Sequence, residues 1–192
     1  MRGRTSHRLR VCDSAVMLIV MAGLPGTGKS AVAERLGRAL PATVVSVDPV
    51  EAAMLRAGVD RGQPTGLAAY LVAEAVADGV LALGQTAIID AVNAVDAARR
   101  QWRPLAERHG VQAAFIEVVC SDERVHRRRL EGRSRGISGF EEPTWEAVQR
   151  RRAEYEPWGE PRLVLDATED LAANVTRARA YLAEESPARS TR

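Results

Sequence analysis

Gly23-Leu24-Pro25-Gly26-Thr27-Gly28-Lys29-Ser30 fits the pattern G-x-x-x-x-G-K-[ST] without a mismatch. The chemistry follows from which side chains are missing. Gly26 and Gly28 leave nothing to block a tight curl, so successive backbone N–H groups can face one anion-sized hollow. A helix beginning there adds its positive end. Lys29 reaches between two phosphates as a flexible point charge, where the wider planar fork of arginine fits poorly. The chain holds 26 arginines and a single lysine, and that lysine is Lys29. Ser30 can set its hydroxyl on Mg²⁺. Each residue from Gly23 to Ser30 is thus a candidate contact for a Mg²⁺-bound nucleoside triphosphate, read as ATP.

Two aspartates stand where an acceptor or a metal would need them. Asp48 follows the apolar run Val44-Val45-Ser46-Val47, and Asp90 ends Ala87-Ile88-Ile89. If these runs are parallel strands, both acids emerge at the edge where ligands bind. Asp48 is read as the group that orients an acceptor hydroxyl and takes its proton; the alternative is a helix cap ahead of Pro49. Asp90 is read as a support for Mg²⁺ or an acceptor contact, with a cap for the next helix as its alternative. Which of the two is base and which is metal partner stays open. Asp166, ending a later apolar run, is either near the base of the nucleotide or an ordinary turn residue.

Residues 123–135 carry Arg124, Arg127, Arg128, Arg129, Arg133 and Arg135 around a helix end and a Gly-rich loop. Arginines on such a loop can close over a phosphoryl group in transit and hold its spread charge. Arg124 and Arg128 are expected on a solvated face. Of Arg150, Arg151 and Arg152, consecutive on a helix, at most one is expected to reach the site. Trp145, Tyr155 and Trp158 are read as core or lid anchors.

These residues need a frame. Apolar, β-branched runs alternate with helical patterns: strands over 17–22, 43–47, 86–90, 112–119 and 162–165, and helices over 30–40, 50–57, 67–83, 95–109, 122–131, 144–155 and 168–182. That alternation predicts an α/β fold, one parallel sheet covered by helices on both faces.

With this loop and order the chain resembles the small P-loop kinases of the nucleotide-kinase-like group. Relatives of that kind include gluconate kinase, chloramphenicol phosphotransferase, zeta-toxin sugar-nucleotide kinases, polynucleotide 5′-kinase and proteins known only as AAA family ATPases. Besides the loop, the resemblance rests on Ser46-Val47-Asp48, Ile88-Ile89-Asp90-Ala91-Val92-Asn93, Arg129-Leu130-Glu131-Gly132-Arg133 and Val164-Leu165-Asp166, over roughly residues 17–183. It implies a P-loop NTPase fold with five parallel strands in the order 2-3-1-4-5 and an Arg-bearing lid over about 132–143. It implies catalytic roles for Asp48, Lys29, Arg129 and Arg133, nucleotide contacts for Arg133 and Arg135, and acceptor contacts for Asp48, Asp90, Asn93 and Arg99. It places Mg²⁺ on Ser30 and Asp90.

Composition narrows the partners. The 192 residues suit one domain, 17–183, between a basic leader at 1–16 and a flexible tail at 184–192. The basic leader and the apolar run after it also outline a secretory signal. That run ends in the glycine loop rather than a cleavage site, so it is read as a strand and the protein as cytoplasmic. No membrane partner is expected, and the chain is read as a monomer or homodimer. The net charge of +2 and an aromatic share of 4% disfavour a nucleic-acid groove without excluding one. Within 48–98 seven acids face two arginines, a local balance of 2 − 7 = −5, which favours a neutral or cationic hydroxyl acceptor. The expected function is transfer of the γ-phosphate of ATP to a small-molecule hydroxyl: a sugar, amino sugar or hydroxylated antibiotic. A polynucleotide or nucleoside 5′-hydroxyl kinase is the alternative enzyme. An ATP-hydrolysing switch without an acceptor is the alternative of another class.

Overall fold

The computed structural model describes residues 15–133, 136 and 142–186. Arg135, most of the expected lid, residues 1–14 of the leader and 187–192 of the tail lie outside the described residues.

Five strands, β1 (Met17–Ala22), β2 (Ala42–Ser46), β3 (Thr86–Asp90), β4 (Gln112–Val119) and β5 (Leu163–Asp166), form one parallel sheet in the order β2-β3-β1-β4-β5. All six residues of β1 are buried, as its central place requires. Its side chains alternate between two cores. Leu18 and Val20 join Ala69, Ala73, Ala77 and Trp102 on one face. Ile19 and Met21 join Val32, Leu36, Leu165 and Ala178 on the other. Each fully buried Leu or Ile contributes about 1.5–3 kcal/mol relative to exposure.

Helices α1 (Lys29–Ala39) and α8 (Leu171–Glu185) cover the second face, and α3 (Thr65–Ala82) and α5 (Trp102–Arg108) the first. Helices α2 (Val47–Arg56), α4 (Asp96–Arg100), α6 (Glu123–Glu131) and α7 (Trp145–Ala153) complete the chain order. Among the described residues only α3 is long and apolar enough to cross a membrane, despite Glu74 and Asp78 within it. Here Ala69, Ala73, Ala77 and Leu81 seat it on the sheet.

Most boundaries shift by one to three residues from the sequence reading, and three departures matter here. The single helix expected over 95–109 is broken at Gln101 into α4 and α5. Pro104 has no N–H for the carbonyl four residues back, and its ring crowds that carbonyl, which belongs to Arg100. Helix α2 begins at Val47, so Asp48 lies in its first turn rather than before it. Helix α8 begins at Leu171, because Asp170 caps it by accepting the N–H groups of Ala172 and Ala173.

Gly23 sits where β1 hands over to the loop. It takes a φ of +138°, donates its N–H to Val92 O at 3.1 Å, and a Cβ on it would fall 2.3 Å from Val118 O. A Cβ on Gly79, in the last turn of α3, would meet nothing within 4 Å. Gly23→Ala is therefore expected to cost about 2 kcal/mol or more in urea unfolding, whereas Gly79→Ala gains about 0.5–1 kcal/mol.

Candidate active site

The loop after β1 holds its own shape. Gly26 and Gly28 have φ of +86° and +90°, a region that favours glycine. Thr27 turns inward: its hydroxyl and its N–H both donate to Leu24 O, at 2.8 and 3.2 Å. Gly28 is the N-cap of α1 and offers no side chain to it. The N–H groups of Gly26, Gly28, Lys29 and Ser30 find no acceptor among the described residues. Open amides at an uncapped helix start are the anion-binding arrangement read from the sequence.

Lys29 is 3% exposed, and its Nζ lies 3.8 Å from Asp90 Oδ1. Asp90 is itself buried, and Ser46 Oγ donates to its Oδ2 at 3.1 Å. The register explains the group: Asp90 pairs with Met21 on β1 and Ser46 on β2. Asp90 Oδ1 has no hydrogen-bond partner among the described residues. A buried carboxylate oxygen without a donor suits a cation or its water shell. Asp90 and Ser30 are the residues that could hold Mg²⁺. No group of three or more His, Cys, Asp and Glu suited to a metal occurs among the described residues. Mg²⁺ needs no such cage, since it keeps waters and phosphate oxygens.

Asp48 lines a cavity of about 320 Å³ with Glu51, Tyr70, Arg151 and Glu154 over an apolar floor that includes Val92 and Val95. Glu51 accepts from Thr65 Oγ1 at 2.8 Å. Burial raises the Tyr70 phenol pKa and the Asp48 charge adds to that, while its oxygen accepts the Asn93 N–H at 3.0 Å. Three carboxylates and one guanidinium give this cavity a balance of 1 − 3 = −2. The −5 counted along 48–98 overstates it. Glu74 and Asp78 pair with Arg108, Asp78 also with His109, and Asp96 with Arg100.

Two expected acceptor contacts are structural instead. Asn93 is fully buried with φ +48°; its side chain donates to Met21 O at 2.7 Å and accepts from Trp102 Nε1 at 3.0 Å. Arg99, 1% exposed, donates to the carbonyls of Asn93, Ala94, Glu156 and Pro157. Its guanidinium lies 4.0 Å from the Trp158 ring centre and 5.1 Å from that of Tyr155. Neither side chain is presented to an acceptor; together they bolt the β3 exit to β1 and to the segment after α7.

The arginines divide. Arg129 donates to Ala167 O at 2.8 Å, and Ala167 lies against Gly28, so Arg129 stands beside the start of α1. Arg133 pairs with Glu142 at 3.5 Å across the base of the expected lid. Arg124 and Arg128 are exposed, as read from the sequence. Two of the α7 arginines line cavities rather than one. Arg151 faces Asp48, and Arg152 lines a cavity of about 420 Å³ beside Gly23, Leu24 and Thr27. Cavities flank α7 on both sides, and successive helical residues point to different sides. His126, which the sequence reading passed over, lies 1% exposed between Arg152 and Pro25 O. A lone histidine among arginines gives little signal.

Asp166 is the turn residue of its two readings. Its Oδ1 accepts the N–H groups of Ser121 and Thr168 at 3.2 and 2.9 Å. Partial burial pushes its pKa up, but these hydrogen bonds outweigh that and hold it at about 2, below the usual 3.8. A depressed carboxyl contributes stability above its unfolded pKa and loses it as pH falls through the folded one. The melting temperature of the wild type should therefore fall more between pH 5 and about pH 2 than that of Asp166→Asn. Arg99→Met is expected to cost about 3 kcal/mol or more in urea unfolding, because it leaves the carbonyls of Asn93, Glu156 and Pro157 without their donor, while Ala94 O keeps the N–H of Glu156.

Residues 18–158 match the AAA domain family. None of the curated proteins compared matches the chain. Solved structures align over nearly all of it. A candidate kinase from Chloroflexus aurantiacus J-10-fl superposes with TM-score 0.71 at 22% identity, over 91% of this chain and 100% of the other. A sugar kinase from Janibacter sp. HTCC2649 gives 0.67 at 18%, over 92% and 99%. The Mycobacterium tuberculosis APS kinase in complex with AMPPNP and APS gives 0.64 at 18%, over 89% and 99%. The chain belongs to the AAA domain family, and its fold is that of the small, nucleotide-kinase-like P-loop proteins.

Proposed function

We propose that this protein transfers the γ-phosphate of ATP, with Mg²⁺, to a hydroxyl of a small molecule. One observation carries the reading: the open loop with buried Lys29 and Asp90 adjoins, along the same strand edge, a cavity that contains Asp48. The fold likeness to a sugar kinase and to an APS kinase seen with AMPPNP supports both a small acceptor and ATP.

In this reading the amides of Gly26, Gly28, Lys29 and Ser30 and the Lys29 ammonium hold the triphosphate. Mg²⁺, held by Ser30 and supported by Asp90, would neutralise phosphate charge. Asp48 orients the acceptor hydroxyl and takes its proton as that oxygen bonds to the γ-phosphorus; the bond from phosphorus to the β–γ bridging oxygen breaks, and ADP leaves. Arg129, and Arg133 from the lid base, meet the charge on the moving phosphoryl group, with Arg135 as a further candidate. The cavity balance of −2 favours a neutral or cationic acceptor. A sugar, an amino sugar or a hydroxylated antibiotic has that chemistry.

The test is an ATP-consumption screen against sugars, aminoglycosides, nucleosides and 5′-hydroxyl oligonucleotides. Asp48→Asn should lower kcat with the responsive acceptor by about 10²–10⁴-fold while ATP affinity stays within about twofold. Lys29→Ala should abolish ATP binding. Activation by oligonucleotide alone would overturn the acceptor class. ATP hydrolysis that needs no acceptor and is unchanged in Asp48→Asn would point to a nucleotide switch.

A further inference from the structure

His126 joins two elements that the nucleotide reading treats separately. Its Nδ1 lies 3.1 Å from Arg152 Nη2, and its Nε2 lies 2.8 Å from Pro25 O. A guanidinium can only donate, so Nδ1 must be the accepting nitrogen. The ring proton then sits on Nε2 and is donated to the Pro25 carbonyl. A one-way chain of hydrogen bonds therefore runs from Arg152 on α7, through the ring, into the phosphate loop. Burial lowers the His126 pKa and the Arg152 charge adds to that, in keeping with a neutral ring.

The fit around the ring is close. Trp145 packs edge-on at 5.2 Å between centroids and 88° between planes, and the Arg152 guanidinium carbon lies 5.6 Å from the centre of the same indole. On the loop side, a Cβ on Gly26 would come within 3.3 Å of His126 Cδ2 and 3.2 Å of Leu130. The missing side chain of Gly26 thus serves a second purpose: it lets α6 approach the loop from behind. Arg152, held at the other end, lines the cavity bounded by Gly23, Leu24 and Thr27.

We infer that His126 is a positioning residue of the nucleotide site, whose single ring fixes both the Pro25 bend of the phosphate loop and the place of the Arg152 cation. This rests on the nucleotide reading of the loop. If α7 is displaced, the Pro25 carbonyl keeps its donor only while the ring keeps its orientation, so loop shape and the place of Arg152 are linked.

The test is calorimetric titration of the full chain with ATP and Mg²⁺, with thermal unfolding of each variant measured without nucleotide. His126→Phe keeps the ring's bulk and removes both hydrogen bonds; it should weaken ATP binding about tenfold, the worth of one charge-assisted hydrogen bond. Arg152→Gln should do the same, and the double variant should bind no worse than either single one, because both break one chain. His126→Gln keeps a donor and an acceptor and should recover part of the affinity. It also serves where His126→Phe does not fold. A purely structural role would lower melting temperatures without this non-additivity in ATP affinity. Wild-type affinity in His126→Phe, additive losses in the double variant, or no recovery in His126→Gln overturns the inference alone, provided that Lys29→Ala has lost ATP binding. A wild type that does not bind ATP overturns the nucleotide reading with it.

Discussion

An ammonium and a carboxylate buried side by side at the end of a central strand set the terms for this site. Lys29 and Asp90 are both largely withdrawn from water, yet 3.8 Å separates Nζ from Oδ1. That is too long for a strong hydrogen bond, and Oδ1 has no other partner among the described residues. Removing two charges from water costs several kcal/mol per ion, which a loose pair does not recover unless other groups complete it. Hydrophobic residues at these positions would serve the core better. The arrangement makes physical sense when a phosphate takes Lys29 and a cation takes Asp90.

Keeping that pair in place requires the strand ends not to drift. β1 and β3 are parallel neighbours, and their ladder stops where the loop begins. Beyond it, Gly23 N–H reaches Val92 O, and Asn93 Nδ2 reaches Met21 O. Arg99 then ties the carbonyls of Asn93 and Ala94 to those of Glu156 and Pro157. A guanidinium suits the task because its donors lie in one plane and never deprotonate. The segment that follows α7 is thereby fixed to the β3 exit, and both Arg151 and Arg152 stand on that helix.

Much of this was legible in the sequence, and the exceptions have physical reasons. The boundaries of β3 and β4 and the glycine loop could be read because they rest on local patterns: apolar runs, turn residues and a spacing that only phosphate chemistry needs; the strand order came through the family resemblance, since no local pattern carries it. Pro104 carried the signal for the break at Gln101, but the periodicity of apolar residues ran through it. Asn93 and Arg99 could not be sorted by type. A polar side chain at the end of a strand looks the same whether it faces a ligand or its own backbone, and only the fold shows that Arg99 meets four carbonyls. Counting charge along 48–98 overstated the cavity's balance for a related reason. Helix faces send Glu74 and Asp78 outward to Arg108 and His109, whereas Glu154, far away in sequence, turns into the cavity.

Helix α3 shows how packing places chemistry at a distance. Its core-facing positions are mostly small, with Ala69, Ala73 and Ala77 fully buried beside Leu81, while Leu67, Leu71 and Val76 stay exposed. The reverse arrangement would bury more apolar surface, so burial of area alone does not account for the pattern. Small side chains let the helix backbone lie close to the sheet. Close approach is what brings Tyr70 to the Asn93 N–H at 3.0 Å and into the wall of the Asp48 cavity. A larger residue at Ala69 or Ala73 would lift α3 and take the tyrosine with it. The width of that cavity is thus set from below by alanines that touch no ligand, and from above by a helix held through Arg99.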